Sequence, residues 1–547
     1  MSGSGLKGRR DLNPDFQPEQ RDENNLGPGL QPGLSLGKFA KEPAVLDHRQ
    51  PQRAAEAWRH FLDTPLDRLL APAEAGSDPR AVAIALFHDM LAHVPAYRSF
   101  LAERGIDPAT IRVPADLERI PMMTKANYVQ RYPLAELVRG GRLTGCDMMA
   151  VSSGSTGKPT FWPRFQSDEL HIAQRFEQIF HDSFMADERR TLAVVCFALG
   201  SWVGGLYTLA CCRHLAAKGY PILTIAPGMN KPEIYRILGE LGPSFDQTVL
   251  LGYPPYLKDV IDGGPAAGID WPRLNIRLAM AGEVFSEEWR TLMSERLGSG
   301  HPCYDFASLY GTADAGVLAN ETPVSIQIRR FLASQPDAAR ELFGEARLPT
   351  LAQYDPFSRL FETAEGTLSF SGDNGVPLLR YHIADHGGLI AYDDMMRFLA
   401  KQGFDPLPGL ASQNWRGVRH LPFVYVFGRA NFAVSYFGAN VYPENIAVGL
   451  EQPQVATMTT GKFVVMAKEG LDIAPELYIA VELAQGMSAD SDKEEALADS
   501  VLAQLLRINT EFANYTPVEF RRPRVELKPT GDPEWFPVGV KHSYSRR

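Results

Sequence analysis

The sequence predicts an α/β protein: a large N-terminal domain of β-sheet flanked by helices, then a small α+β domain at the C-terminal end. Three observations carry that prediction. After Asp147, short apolar runs bounded by turn residues alternate with stretches of helical period, the pattern of a sheet with substantial parallel pairing. From about Phe432 the pattern becomes short strands around one helix. A hydroxyl- and glycine-rich run at 151–160 follows the first strand-like segment, where open α/β sheets place ligand loops.

Taken in order, residues 1–50 are rich in Gly, Pro, Gln and charge with few large apolar side chains, which predicts a flexible tail. From Ala54 to Phe100, AAEAWRHFLDTPLDRLL and AVAIALFHDMLAHVPAYRSFLAER repeat apolar residues every three or four positions, as helices do. Pro95 breaks or bends the second of them. MMAVSS, TLAVVCFA, PILTIAP, QTVLLG and IRLAMAGE read as buried strands. SDELHIAQRFEQIFHDSF, GGLYTLACCRHLAAK and KPEIYRILGEL read as helices between them. In the terminal region KFVVMA, ELYIAVEL and RVELKP are strands, and DKEEALADSVLAQLLRINTEF is one helix. No internal repeat is visible.

Composition narrows the class. The chain has 547 residues, 45% hydrophobic and 22% charged, the balance of a folded soluble protein. Its formal charge of −10 supplies no general attraction for nucleic acid. No apolar run approaches the ~20 residues that cross a bilayer, so no membrane association is expected. The start, MSGSGLKGRRDLNPDFQPEQ, has basic residues with no apolar core after them, unlike a secretory signal. The cysteines (Cys146, Cys196, Cys211, Cys212, Cys303) form no C-x-x-C, which speaks against a zinc or disulfide framework. The expected compartment is the cytoplasm.

The run Val151-Ser-Ser-Gly-Ser-Thr-Gly-Lys-Pro-Thr160 combines glycines, hydroxyls and one lysine. Glycines let backbone N–H groups turn inward as an anion nest, and hydroxyls add donors. It is not a Walker loop, because Ser152 stands where that motif needs glycine, and it contains no G-x-G-x-x-G. On its own it reads equally well as an ordinary Ser/Gly/Thr loop.

Five further segments follow in order: AGEVFSEEWR at 281–290, YGTAD at 310–314, RYHIAD at 380–385, Gly428 and Arg429 with FGANVYPENI beyond, and Lys541 near the end. With SSGSTGKPT they resemble the adenylate-forming superfamily, most closely its phenylacetate–CoA ligase-like branch. HVPAYRSFLAERGIDPATI and LERIPMMTK resemble that branch's helical lead-in, so the resemblance covers residues 85–547. It implies mixed sheets in a large adenylation domain and a mobile C-terminal domain. The divisions are then 1–50 (tail), 51–429 (adenylation domain binding ATP and acid) and 430–547 (small domain carrying the terminal lysine).

The resemblance also implies roles. Ser153, Ser155, Thr156, Gly157 and Lys158 match the loop holding the β- and γ-phosphates of ATP. Gly282, Glu283 and Val284 match the adenine-pocket lining; the same stretch reads as a strand end before a helix capped by Ser286. Tyr310, Gly311 and Thr312 match a turn against adenine. Asp314 stands where the family usually has Glu and would ligate Mg2+, a hard cation that prefers oxygen. Being shorter, it leaves direct contact, contact through water and help from Glu321 all open. Asp385 matches the carboxylate that accepts hydrogen bonds from the ribose hydroxyls. Arg380 is expected to be structural, and His382 and His386 to be local hydrogen-bonders. Arg429 matches the hinge arginine, with Ala430 and Asn431 replacing the usual acids after it. Lys541 matches the lysine that bridges carboxylate and α-phosphate, with Val540 in place of the usual glycine; the competing reading is an exposed tail lysine.

For the acid, FALGSWVGGLYTLACC supplies Trp202, Leu206 and Tyr207 as an apolar wall with room at Gly204, and Tyr253 of LLGYPPYLKDV supplies a second wall. The plain alternative is helix–sheet core. The implied activity is ATP-dependent conversion of a carboxylic acid, aromatic or otherwise bulky, to an acyl-adenylate with release of pyrophosphate. Transfer to coenzyme A as co-substrate follows. The alternatives are an amide-forming ligase, an adenylyltransferase with another acceptor, or a non-catalytic adenylate-binding homologue. The 390–425 stretch reads as an insertion on the acceptor side, and a homodimer is compatible with the chain.

Overall fold

The computed structural model describes residues 49–151, 160–200, 203–345, 347–411, 415–429, 434–437, 439–469, 475–537 and 544. The expected tail, 1–48 of it, lies outside them. The helical lead-in divides where the sequence requires. Helix Arg80–His93 ends at Val94, which is extended (φ −108°, ψ 107°), and Pro95 opens helix Pro95–Ala102. A residue before proline is driven out of helical geometry, while proline itself suits a first helical position.

Strands β1 (Met148–Val151) and β2 (Phe161–Arg164) pair antiparallel, with Val151 opposite Phe161. They flank the hydroxyl-rich run, whose residues 152–159 are outside the described residues. The next strands are β3 (Thr191–Val195), β4 (Ile222–Ile225), β5 (Gln247–Gly252), β6 (Ile276–Ala281), β7 (Phe306–Thr312) and β8 (Gly316–Asn320). After them come β9 (Thr350–Gln353), β10 (Leu360–Ala364), β11 (Thr367–Gly372), β12 (Leu378–Ile390) and β13 (Phe423–Arg429). β3 to β13 form one sheet in the order β10-β11-β12-β13-β9-β8-β7-β6-β5-β3-β4. Pairing is parallel from β4 through β7 and antiparallel from β7 to β10, so the sheet is mixed.

β3, β5 and most of β6 are buried on both faces, which is why their sequences are mainly apolar, while β4 at the sheet edge leaves Leu223 exposed. Alternation sorts their side chains. Ala193, Val195, Val249, Leu251 and Ala279 pack with Leu170, Phe176, Cys211 and Leu215 of helices Gln166–Gln178 and Val203–Ala217. Leu192, Val194, Leu250 and Leu278 pack with Ile234, Val260 and Met293 of helices Lys231–Glu240, Pro254–Gly263 and Glu287–Leu297.

The terminal region has a short pair, β14 (Val434–Tyr436) with β15 (Ala439–Val441), and a three-stranded sheet of β16 (Thr459–Glu469), β17 (Pro475–Leu483) and β18 (Arg524–Lys528). β16 and β17 are antiparallel, β17 and β18 parallel. The single helix expected there is two. Asn509 is extended (φ −113°, ψ 94°), ends helix Ser491–Ile508 and caps helix Thr510–Tyr515 by accepting from the Phe512 N–H at 2.9 Å. An asparagine side chain competes for backbone N–H groups and so favours a cap over a helix interior. Within the 390–425 stretch, helix Tyr392–Lys401 joins the core that contains Leu351 and Phe423, and Phe404 beyond it stacks on Phe331 at 4.1 Å. No helix among the described residues is long and apolar enough to cross a membrane.

Candidate active site

The candidate site lies at the C-terminal ends of β3, β5 and β6. β6 ends at Ala281, and Gly282 follows with φ +86°. A Cβ there would stand 3.0 Å from Tyr253 Cε1, so only glycine fits both the backbone and the close approach. Tyr253 follows β5, its ring 4.8 Å from that of Phe197 and nearly perpendicular to it. Its hydroxyl is 3.7 Å from where a Cβ at Gly204 would be. Gly204, Tyr253 and Gly282, read from three separate segments, thus meet in one place.

The remaining acyl-wall residues divide. Leu206 is half-buried on helix Val203–Ala217. Tyr207 is 4% exposed and packs with Ile172 and Phe176 in the helix–sheet core, with the Arg164 guanidinium 5.6 Å from its ring. Trp202 lies outside the described residues, as do Ser153, Ser155, Thr156, Gly157, Lys158 and Lys541.

Beyond Gly282, Glu283 and Val284 are half-buried, and Ser286 caps the next helix, accepting from the Trp289 N–H at 3.0 Å. Beneath it the fully buried Arg290 joins Glu287 (2.9 Å) and Glu321 (2.7 Å), and Glu321 also accepts from the Ser308 N–H at 2.9 Å. Glu321, considered above as a second oxygen donor beside Asp314, is therefore committed to this core network.

Tyr310 of β7 donates its hydroxyl to Asp385 of β12 at 2.6 Å. Asp385 is 6% exposed and stands directly opposite Arg429 in the β12–β13 ladder. Gly311 admits no side chain, since a Cβ would meet the Gly316 carbonyl at 2.5 Å. Thr312 Oγ1 accepts from the Ala315 N–H at 3.1 Å, closing the turn that carries the half-buried Asp314.

Three residues that the sequence did not single out hold that turn. Tyr381 donates to Asp314 Oδ2 at 2.6 Å, Arg164 donates to the Ala313 carbonyl, and Arg359 donates to the Ala315 carbonyl at 3.2 Å. Tyr381 lies inside the RYHIAD motif and was within reach of the reading; the two arginines carried no local signal. Arg380 is structural as expected, with its guanidinium on Glu362 (3.1 Å) and on the carbonyls of Glu118 and Ile120 (both 2.7 Å). His382 bonds Thr367 Oγ1 at 2.8 Å. Among the described residues no cluster of three or more His, Cys, Asp or Glu forms a metal cage.

No family model matches the sequence. The chain is 25% identical to the phenylacetate-coenzyme A ligase of Thermus thermophilus over 424 residues, 75% of this chain and 81% of the relative. It is 27% identical to the phenylacetate-coenzyme A ligase of Pseudomonas putida over 217 residues, 38% of this chain and 44% of the relative. Among solved structures, 2-hydroxyisobutyryl-CoA ligase in the postadenylation state has the same fold, with a TM-score of 0.60, 16% identity, and coverage of 92% of this chain and 93% of that one.

Proposed function

From a chain that is phenylacetate–CoA ligase-like, within the adenylate-forming superfamily, we infer an AMP-forming acid–CoA ligase. A carboxylate oxygen attacks the α-phosphorus of ATP, the bond to the bridging oxygen breaks, and pyrophosphate leaves. The thiolate of coenzyme A then attacks the acyl carbon and AMP leaves as the acyl–oxygen bond breaks. The observation that carries this reading is the Tyr310–Asp385 hydrogen bond, which puts two of the motifs in contact, with Ala281 of the third paired to Leu309 beside Tyr310.

Roles for this chain's residues follow from charge. Anion approaches polyanion in the first step, so donors must neutralise the developing charge. Ser153, Ser155, Thr156, Gly157 and Lys158 hold the β- and γ-phosphates, and Lys541 bridges the carboxylate and the α-phosphate. Asp385 accepts from the ribose hydroxyls with Arg429 alongside. Gly282, Glu283, Val284, Tyr310, Gly311 and Thr312 enclose the adenine. Asp314 would hold Mg2+, which supplies positive charge to the phosphate oxygens; one carboxylate suffices because Mg2+ commonly completes its shell with phosphates and water. Tyr253 and Phe197 form an aromatic wall beside Gly204, which favours an aryl acid. The small terminal domain, from residue 430, moves between the two steps. The reading carries with it a cytoplasmic location, and sedimentation tests the expected homodimer.

The deciding experiment is pyrophosphate release over a panel of carboxylic acids headed by phenylacetate, with and without coenzyme A. Acid-dependent release and a coenzyme A thioester are expected. No release with any acid, at ample ATP and Mg2+, would remove the enzymatic reading; release with an amine acceptor in place of coenzyme A would make it an amide-forming ligase. Lys541→Ala is expected to lose adenylation, and Lys158→Ala to weaken ATP use.

A further inference from the structure

Helix Pro254–Gly263 begins directly after Tyr253, its N-cap, and so leads away from the wall assigned to the acid. Halfway along, it meets the terminal region. Lys258 is 1% exposed and donates to the carbonyl of Thr459, where β16 begins, at 2.6 Å. Its stem lies along Gly461, where a Cβ would be 3.7 Å from Lys258 Cδ. Asp262, one turn on, accepts from the same amine at 2.8 Å and is also paired to Arg296 of helix Glu287–Leu297. Asp259 holds Lys231 at 2.9 Å, and Lys231 reaches Gln485, just after β17, at 3.2 Å. A second contact lies two residues beyond Val284: Ser286 donates to Glu451. Both contacts tie residues before 430 to residues after it.

A buried lysine makes a poor permanent bond. Desolvating the ammonium offsets most of what its bonds return, and an apolar residue of similar size often holds a fixed interface at less cost. Such a lysine suits a contact that is made and broken, because the amine is hydrated again once the surfaces part. Burial first, then the Arg296 charge, lower the Lys258 amine to about 7, with Asp259 and Glu451 opposing. The charged groups facing it are thus Asp259 and Asp262 of its own helix, Arg296 of another and Glu451 of the terminal region. In water the amine returns to its ordinary value near 10.5. Parting the contact therefore takes up a proton above pH 7, and a rise in pH favours the docked form. Glu451 backs the cap of the helix that follows the wall assigned to adenine, so the docked form suits the step that uses ATP.

We propose that Lys258 is a positioning residue for adenylation: its bond to the Thr459 carbonyl is a releasable latch that holds the terminal region on helix Pro254–Gly263 while ATP is used, and that parts for the thioester step. The proposal rests on the reading under Proposed function that the terminal region moves between the two steps.

Lys258→Met keeps an unbranched stem beside Gly461 and leaves Asp262 paired to Arg296, so the fold loses one donor. The two half-reactions are measured separately with the best acid of the panel: single-turnover pyrophosphate release, and thioester formation from supplied acyl-adenylate and coenzyme A. The first is expected to fall about five- to tenfold, the net worth of one hydrogen bond, with the second within about twofold of wild type or faster. The ratio of first to second in wild type, divided by the same ratio in Lys258→Met, is expected to rise from pH 8 to 9, by at most about tenfold for one proton. Glu451 is present in both proteins and does not produce that difference. Lys231→Met, which breaks the more exposed contact to Gln485, is expected to shift the ratio the same way by less. Equal losses in the two half-reactions, a larger loss in the second, or a flat pH comparison overturns the latch. If wild type carries out both half-reactions and Lys258→Met leaves them unchanged, the latch falls and the ligase stands. If wild type carries out neither, both fall.

Discussion

The Tyr310 hydroxyl bonds the Asp385 carboxylate although β7 and β12, which carry them, are four places apart in the sheet. In a flat sheet those strands would run ~19 Å apart, beyond the reach of a tyrosine. β8 and β9 are joined by the single pair Asn320↔Gln353, and the sheet curls across that weak seam. The curl brings two motifs from either half onto one site. Tyr310→Phe is expected to raise KM for ATP about three- to tenfold, the net worth of one ordinary hydrogen bond, with a smaller effect on turnover. Asp385→Ala is expected to cost more, and to erase any preference for ATP over 2′-deoxy-ATP. Pyrophosphate exchange against nucleotide concentration checks both; an unchanged KM in Asp385→Ala would remove the ribose assignment.

Asp314 is held in its rotamer by Tyr381 at 2.6 Å, while Arg164 and Arg359 fix the carbonyls on either side of it. With Mg2+ held there as proposed, that support would compensate for a side chain one methylene shorter than glutamate by leaving it few conformations to lose on binding. Tyr381→Phe is therefore expected to raise the Mg2+ concentration for half-maximal activity several-fold at fixed ATP. Asp314→Asn is expected to raise it further. A Mg2+ titration that is superimposable for all three proteins would take Asp314 out of the metal site.

The parallel half of the sheet was legible because each strand is mainly apolar and a helix lies in each connection, both local signals. So were the Pro95 break and the Ser286 cap, where one residue type dictates the backbone. The order of β8 to β13 was not, because antiparallel partners such as β9 and β13 lie far apart in sequence and their pairing leaves no periodic trace. Gly282 and Asp385 were legible as motif residues. Tyr381 was legible as part of the RYHIAD motif but its bond to Asp314 was not, since a single hydroxyl bonded across a fold has no spacing to read. The Asn509 break was hidden by apolar periodicity that continues on both sides of one polar residue.

Gly204 stands beside Tyr253 in the wall assigned to the acid: a Cβ would have the Tyr253 hydroxyl at 3.7 Å and Phe197 Cδ1 at 4.0 Å as neighbours. Both are ordinary contact distances, so Gly204→Ala should fold without rearrangement, and alanine is the better helix former. A larger side chain would press on Tyr253 and Phe197 and reshape that wall. Gly204→Val is expected to lower kcat/KM for aryl acids about tenfold or more relative to acetate, since a pocket discriminates by ~1–3 kcal/mol per group it excludes. Competition between phenylacetate and acetate measures this. Equal losses for both acids would show that the acid binds elsewhere.

Glu451 reports on the contact between the terminal region and the helix beginning at Glu287. It is 8% exposed and accepts from Ser286. Burial, opposed by the Ser286 hydrogen bond and aided by the Glu288 charge, pushes its carboxyl up to about 8. A carboxyl raised in the folded state holds a proton there after the unfolded chain has released its own. Its contribution to stability is therefore complete below the usual carboxylate pKa near 4.5 and declines as pH rises toward 8. The decline has an upper bound of ~1.4 kcal/mol per pH unit. The nearby Lys258 is 1% exposed, bonded to Asp262 (2.8 Å) and the Thr459 carbonyl (2.6 Å), and burial lowers it to about 7. It acts in the opposite direction only above pH 7, as the unfolded lysine keeps a proton that the folded one sheds. Asp168, pushed up to about 7 by burial, also loses its contribution from pH 5 to 7, but it is common to both proteins, so comparing Glu451→Gln with wild type isolates Glu451. Glu451→Gln carries no titrating proton, so its Tm is expected to rise relative to wild type across that window. A Tm difference that stays flat from pH 5 to 7 would mean that Glu451 is ionised in the folded protein, with Ser286 bonded to a carboxylate.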